Sequence, residues 1–487
     1  MTVNGRTRWL ALIVLCLGTL MIVLDSTIVN VALPSIRADL HFSQTSLAWV
    51  VNAYLLTFGG FLLLGGRLGD LYGHRRLFVG GIALFSAASL FCGLAQSQGE
   101  LVAGRTIQGI GGAVASAVSL SLTMNMFTEA RERAKAMGIF GFVASGGGSI
   151  GVLLGGVLTN FLNWHWIFLV NLPIGAVVVA LSLRLLPAGS GQHSGARLDV
   201  AGALTVTSAL MLAVYAIVNG NESGWASTIT AARLAGAVAL FAAFLAIEAR
   251  VTAPLMPLGL LRRRNVATAN GIGVLWAAAM FGWFFVSALY LQLVLGYSAL
   301  QVGLAFLPGN LVMGALSVGV SARVVMRYGI KRPLAIGLLL AAAGLVLFAR
   351  APIGGSFVID VLPSMILLGA GAGLAFNPVL LAAMSDVAPQ ESGLASGVVN
   401  TAFMMGGALG LAILASLASS RTAALHAAAS NPLASLLGGY HLAFIVGAVF
   451  AATAAVLGWA LLRVDGRMAA GEGERSSGAA REAEVAA

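Results

Sequence analysis

Long apolar runs alternate with short polar stretches along this chain. A membrane-spanning helix needs about 20 predominantly apolar residues. Fourteen runs meet that requirement. They predict helices over 9–30, 45–65, 77–95, 101–122, 136–158, 164–183, 200–219, 230–248, 267–293, 302–325, 333–349, 358–383, 393–418 and 440–462. The first run is too long for a cleaved signal peptide, and polar residues and Pro34 follow it where a small-residue cleavage site would stand.

The polar connections orient these spans. Joined in order, they place every Lys and Arg but five on one side of the membrane. Arg37, Arg233, Arg350 and Arg421 fall on the other side, and Arg105 lies inside a span. Basic loops stay in the cytoplasm, so both termini are expected there. The long connections 184–199 and 249–266 bracket spans seven and eight. The predicted organisation is an N-terminal six-helix bundle over 1–184, a two-helix insert over 185–266, a C-terminal six-helix bundle over 267–463 and a disordered cytoplasmic tail over 464–487. A short repeat supports two equivalent halves. Tyr72, Gly73, Arg75 and Arg76 after span two match Tyr328, Gly329, Lys331 and Arg332 after span ten. Parallel repeats of this kind place a transport site between the halves, near the membrane midplane.

Composition narrows the class further. The chain is 59% hydrophobic and only 9% charged, with a mean hydropathy of +0.95. A soluble domain carries about 25% charged residues. The net charge of +10 does not indicate nucleic acid, because the basic residues lie in short separate loops and form no continuous patch. Cys16 and Cys92 both fall inside spans and read as small buried apolar residues. Lys occurs only at Lys135 and Lys331 beside heavy use of Ala and Gly, a composition that fits a GC-rich bacterial genome. The six His residues sit in loops or at span ends with no metal-ligand spacing, and no P-loop or nucleophile elbow is present. An enzyme is therefore not expected. Neither is a cofactor, and an ion gradient is the expected energy source.

Asp25 is the one acid deep inside a span. Each of the other Asp and Glu residues falls in a loop, at a helix end or in the tail. A carboxylate at membrane depth costs about 2.5–3.5 kcal/mol on insertion scales, and its usual use is to carry a proton or cation. Arg105, near the outer end of span four, is placed to share its depth. Gly66, Asp70, Gly73, Arg75 and Arg76 form a basic glycine turn that can latch one half to the other. Gly147, Gly151 and Gly155 share one helix face, and with Gly156 they predict a close-packed rocking seam. Asn30, Trp49, Tyr54, Gln108, Trp283, Asn400, Phe403 and Met404 are candidates for a substrate cavity. Trp276, Phe281, Phe284 and Met405 are further aromatic and Met positions inside spans.

These residues resemble the major facilitator superfamily, and specifically its 14-span drug:proton antiporter branch. Leu24–Pro34 (LDSTIVNVALP) is similar to that branch's first-span motif. Gly66–Arg76 resembles the superfamily's loop motif, Leu101–Gly112 (LVAGRTIQGIGG) its fourth-span motif, and Trp164–Gly175 (WHWIFLVNLPIG) a signature of the branch. Tyr290–Gly309 and Pro389–Asn400 are similar to it as well. The resemblance implies an all-α integral membrane protein with the major facilitator fold, fourteen transmembrane helices arranged as two six-helix bundles plus an insert. It implies proton-driven efflux of lipophilic drugs or antibiotics across the bacterial cytoplasmic membrane by alternating access. Asp25 would carry the proton, with Arg105 tuning it, and the loop turn would stabilise the outward-facing state. Its partners would be a lipophilic small molecule, protons and the bilayer. An uptake symporter, or an exporter of an endogenous metabolite or lipid, is the alternative on the same fold. The chain departs from the pattern at Leu71 and His74 in the loop motif, at Val152 where a Pro follows the span-five Gly, and at His165 between the two Trp residues. It also lacks the acids that some members carry in spans ten and thirteen. Its substrates are therefore expected to be neutral or singly charged.

Overall fold

The computed structural model describes residues 5–127, 129–187, 198–251, 254–385, 387, 392–428 and 431–463. The expected disordered tail over 464–487 lies outside the described residues. The described chain is helical from end to end. The N-terminal helices are α1 (Gly5–Leu40), α2 (Trp49–Tyr72), α3 (His74–Gly93), α4 (Gln98–Met126), α5 (Ala130–Phe161) and α6 (Trp166–Leu185). Next come α7 (Val200–Ser223) and α8 (Thr228–Glu248). The C-terminal helices are α9 (Arg264–Val294), α10 (299–328), α11 (Lys331–Phe348), α12 (Phe357–Met384), α13 (Ser392–Ala428) and α14 (Pro432–Leu461).

Twelve helices are long and apolar enough to cross a membrane. They coincide with twelve of the predicted runs. The predicted fifth and tenth runs fall in α5 and α10, where shorter apolar helices cover Ile150–Phe161 and Ala299–Ala315. Local signals set the helix ends. Ser298 and Gln301 form a capping box at the start of α10, which satisfies two backbone N–H groups that the first turn leaves free. Gly73, at φ +95°, separates α2 from α3, and Gly329, at φ +75°, separates α10 from α11. Side chains rarely adopt that backbone region. The repeated Tyr-Gly pair is thus the same turn used twice.

Helices α1–α6 pack chiefly among themselves, and so do α9–α14. The principal contacts between these groups are α5 against α10 and α2 against α13. α7 packs on α8 and leans on α2 and α13. Only 17% of the α8 apolar window is buried, so α8 is a peripheral helix facing outward. Its apolar residues on all sides fit that position.

Small residues bring α5 close to its neighbours. A side chain at Gly151 or Gly155 would meet the α1 backbone, with a Cβ on Gly155 at 2.7 Å from Ile28 O. Gly147 packs on Leu20 and Val23 of the same helix. Gly156 points elsewhere, and a Cβ there would lie 2.7 Å from Ala299 O of α10. The predicted seam therefore divides. Gly147, Gly151 and Gly155 hold α5 to α1 within one group, and Gly156 alone of the four lies at the crossing between groups. The helical period explains the split, since one residue turns the helix by about 100°.

Candidate functional site

Asp25 lies twenty residues into α1, about 30 Å along the helix. It is fully buried, as is Arg105 of α4. Arg105 Nη1 donates to Asp25 Oδ2 at 2.5 Å. Asp25 Oδ1 accepts from Gln108 Nε2 at 2.8 Å and from Asn171 Nδ2 at 3.0 Å. Ser89 Oγ accepts from the same two amides and donates to Phe168 O at 2.9 Å. The guanidinium is satisfied in turn. Its Nε donates to Val50 O at 3.0 Å, its Nη1 to Gln108 Oε1 at 2.6 Å, and it sits 4.3 Å from the centre of the Tyr54 ring. A buried ion pair repays its desolvation only when its remaining polar atoms are also bonded, and this network meets that condition.

Sequence reasoning anticipated Asp25 and Arg105 but missed Ser89 and Asn171. Asn171 carried a usable signal, a polar residue two turns after Trp164 inside an apolar span.

A cavity of about 790 Å³ lies between the two groups of helices. That volume suits a drug-sized ligand. Its wall is largely aromatic and thioether: Phe58, Phe140, Trp276, Phe281, Phe284, Phe376, Phe403, Met280, Met313 and Met404. Asn30, Asn400 and several serines add polar points. Four of the eight expected cavity residues, Asn30, Asn400, Phe403 and Met404, line it. The other four do not. Tyr54 and Gln108 are taken up by the Asp25–Arg105 network. Trp283 is buried against Phe284 and Phe306, and Trp49 faces Tyr215 of α7. A helical spacing explains the wall on α9, since Trp276, Met280 and Phe284 stand four residues apart and share a face. On α1, Val23, Thr27 and Asn30 face the cavity, whereas Asp25 faces α4 and α6.

The cavity extends to Gly66, Arg67 and Asp70 at the end of α2, where the basic loops lie. At the other end the two groups touch. Gln292 Nε2 donates to Val31 O at 2.9 Å, and Gly156 meets α10. The loop turn does not bridge the groups in this conformation. Asp70 pairs with His74 at 3.3 Å, Arg75 donates to Leu183 O at the end of α6, and Arg76 is exposed. Gly66 lines the cavity and Gly73 supplies the turn. At the far end of α1, Trp164 Nε1 donates to Asp39 Oδ2 at 2.9 Å, and His165 stacks on Trp164. Among the described residues, no three His, Cys, Asp or Glu side chains form a group that could hold a metal ion.

Relatives match this chain over most of its length. A puromycin resistance protein of Streptomyces alboniger is 39% identical over 93% of this chain and 91% of its own length. A cephamycin export protein of Amycolatopsis lactamdurans is 38% identical over 94% of this chain and 93% of its own. A lincomycin resistance protein of Streptomyces lincolnensis is 36% identical, covering 85% of each. The nucleoside transporter NupG shares the fold, with a TM-score of 0.65 at 13% identity over 93% of this chain and all of that one. The profile of the Major Facilitator Superfamily matches residues 15–411. With its many apolar helices around one central cavity, this chain belongs to the Major Facilitator Superfamily and is a multi-pass membrane transporter, not an enzyme.

Proposed function

We propose that the protein is a proton-driven exporter of lipophilic antibiotics or drugs, of the 14-span drug:proton antiporter branch. It sits in the bacterial inner membrane with both termini in the cytoplasm, and α1–α14 make fourteen crossings. The two six-helix bundles rock about the cavity, and α7 and α8 flank them. No bound cofactor takes part.

The observation that carries this reading is the separation of two sites. The cavity wall is mostly apolar, and among the described residues its only charged members are Arg67 and Asp70 at the basic end. The ion-paired Asp25 lies behind that wall, fully buried. This geometry suits a cytoplasm-facing state that accepts substrate while Asp25 is ionised. In the outward-facing state Asp25 separates from Arg105 and takes a proton from outside. The proton then favours return to the inward-facing state, where Arg105 displaces it. The antibiotic-resistance names of the relatives support export over uptake, against which Val152 in place of the span-five Pro is the one contrary residue.

The test is efflux of a lipophilic dye from cells carrying wild type or Asp25→Asn, with and without a protonophore. Expected is loss of uphill efflux in the mutant and in uncoupled cells, with membrane expression unchanged. Wild-type efflux by Asp25→Asn removes Asp25 from the coupling step.

A further inference from the structure

Helices α7 and α8 carry two buried acids that the coupling scheme does not use. Asp199 caps α7, and its Oδ1 accepts from Gly202 N–H at 2.7 Å. Glu248 ends α8, and its Oε2 accepts from Met256 N–H at 3.2 Å. Asp199 is 4% exposed and Glu248 3%. The two carboxyl groups lie within interaction range of each other. The remaining oxygens, Asp199 Oδ2 and Glu248 Oε1, are buried with no other partner. Neither acid is in an ion pair among the described residues.

Two adjoining carboxylates without a cation do not both stay ionised. One proton between Oδ2 and Oε1 gives each orphan oxygen what it lacks.

Among the described residues of the flanking connection, Arg263 is half-buried with a partner of its own. The segment 254–257 offers backbone N–H groups only. α2 brings Arg67 and Asp70 to this end, on the cavity side, with Asp70 paired to His74. The titratable side chains of α13, Arg421 and His426, stand at its opposite end. Arg250 and Arg262, in the flanking connection, are exposed.

The segment held by Glu248 reaches the transport path. Leu255 packs with Leu64 of α2 and Ala203 of α7, and it lines the cavity at its basic end. Met256 packs against a cluster of Val206, Phe244 and Met405, which joins α7, α8 and α13.

We propose that Asp199 and Glu248 form a second proton-binding site, whose proton keeps the 254–257 strap docked on the cavity wall. Removing the proton leaves two like charges in contact, drives Glu248 away and frees the strap. The site's place in transport rests on the antiport reading; the proton itself does not.

The test uses full-length protein in lipid nanodiscs, in an Asp25→Asn background that removes the other buried acid. Infrared difference spectra against pH read protonated carboxyl groups, and hydrogen exchange reads the Leu255 and Met256 amides. Expected is a protonated-carboxyl band at neutral pH that titrates away at alkaline pH and is absent after Glu248→Gln. As the band disappears, exchange in the strap should rise about tenfold relative to Glu248→Gln, the equivalent of one lost hydrogen bond. Asp199→Asn, which keeps the helix cap, is the second variant and should also remove the alkaline transition. A neutral-pH spectrum unaltered by Glu248→Gln overturns the proposal, as does strap exchange that matches Glu248→Gln at every pH. Neither readout depends on transport, so a failed efflux assay and a failed proton site remain distinguishable.

Discussion

At the residue scale, Asp25 depends on the donors around it. Arg105, Gln108 and Asn171 each donate to it, and a hydrogen bond to a charged group contributes about 1.5–3 kcal/mol. Asn171→Leu is therefore expected to lower stability by about 2 kcal/mol, seen as a reduced melting temperature in detergent. Arg105→Ala leaves a buried carboxylate without its cation, a loss of about 3–5 kcal/mol unless Asp25 protonates. The double variant Arg105→Ala/Asp25→Asn should recover much of that stability, and a double variant no more stable than Arg105→Ala would contradict the pairing. Gly73→Ala forces a side chain into the left-handed region and should cost about 1–3 kcal/mol, measured by the same melting assay. Asp25 and Arg105 were legible in the sequence because charge inside an apolar run is conspicuous. Ser89 was not, because a lone Ser is common in membrane helices; Asn171 was marked only as a polar residue inside an apolar span, and only the fold gathers α1, α3, α4 and α6 around one carboxylate.

At the element scale, α5 has two faces with different duties. Gly151 and Gly155 seat α1, while Gly156 seats α10 across the two groups. Gly156→Leu is expected to open the end of the molecule opposite the basic loops. A cysteine introduced at Leu300 should then react faster with a membrane-impermeant thiol reagent added from outside, by about tenfold if the seal there is worth about 1.4 kcal/mol. Unchanged labelling would show that this crossing does not close the cavity. The glycine spacing was readable in the sequence, but its partners were not. A run of small residues announces close approach without saying to which helix, and the one-residue offset of Gly156 gained its meaning only from the packing. The Tyr-Gly turns fared better, because a local backbone requirement at Gly73 and Gly329 is written in the residues themselves.

At the scale of the whole molecule, the order of the apolar runs was legible from hydropathy, twelve of them matching helices long and apolar enough to cross a membrane, and the basic loops gave an expected orientation. The cavity was not legible. Its wall is drawn from many helices, and aromatics such as Trp283 look the same in sequence whether they line a cavity or fill a core. Among the described residues, that wall has no charge beyond Arg67 and Asp70 at its basic end, so it should favour neutral and singly charged molecules. Met404→Asp places a carboxylate inside it and is expected to lower the apparent KM for a dicationic dye by about tenfold, the effect of about 1.4 kcal/mol. The central claim is that proton movement through Asp25 drives substrate out. It is tested most directly in proteoliposomes by dye transport under an imposed proton gradient, alongside dye exchange without one, for wild type and Asp25→Asn. The account predicts that the mutant still exchanges dye across the membrane but no longer accumulates it against its gradient. Wild-type accumulation by Asp25→Asn under the same gradient would contradict it.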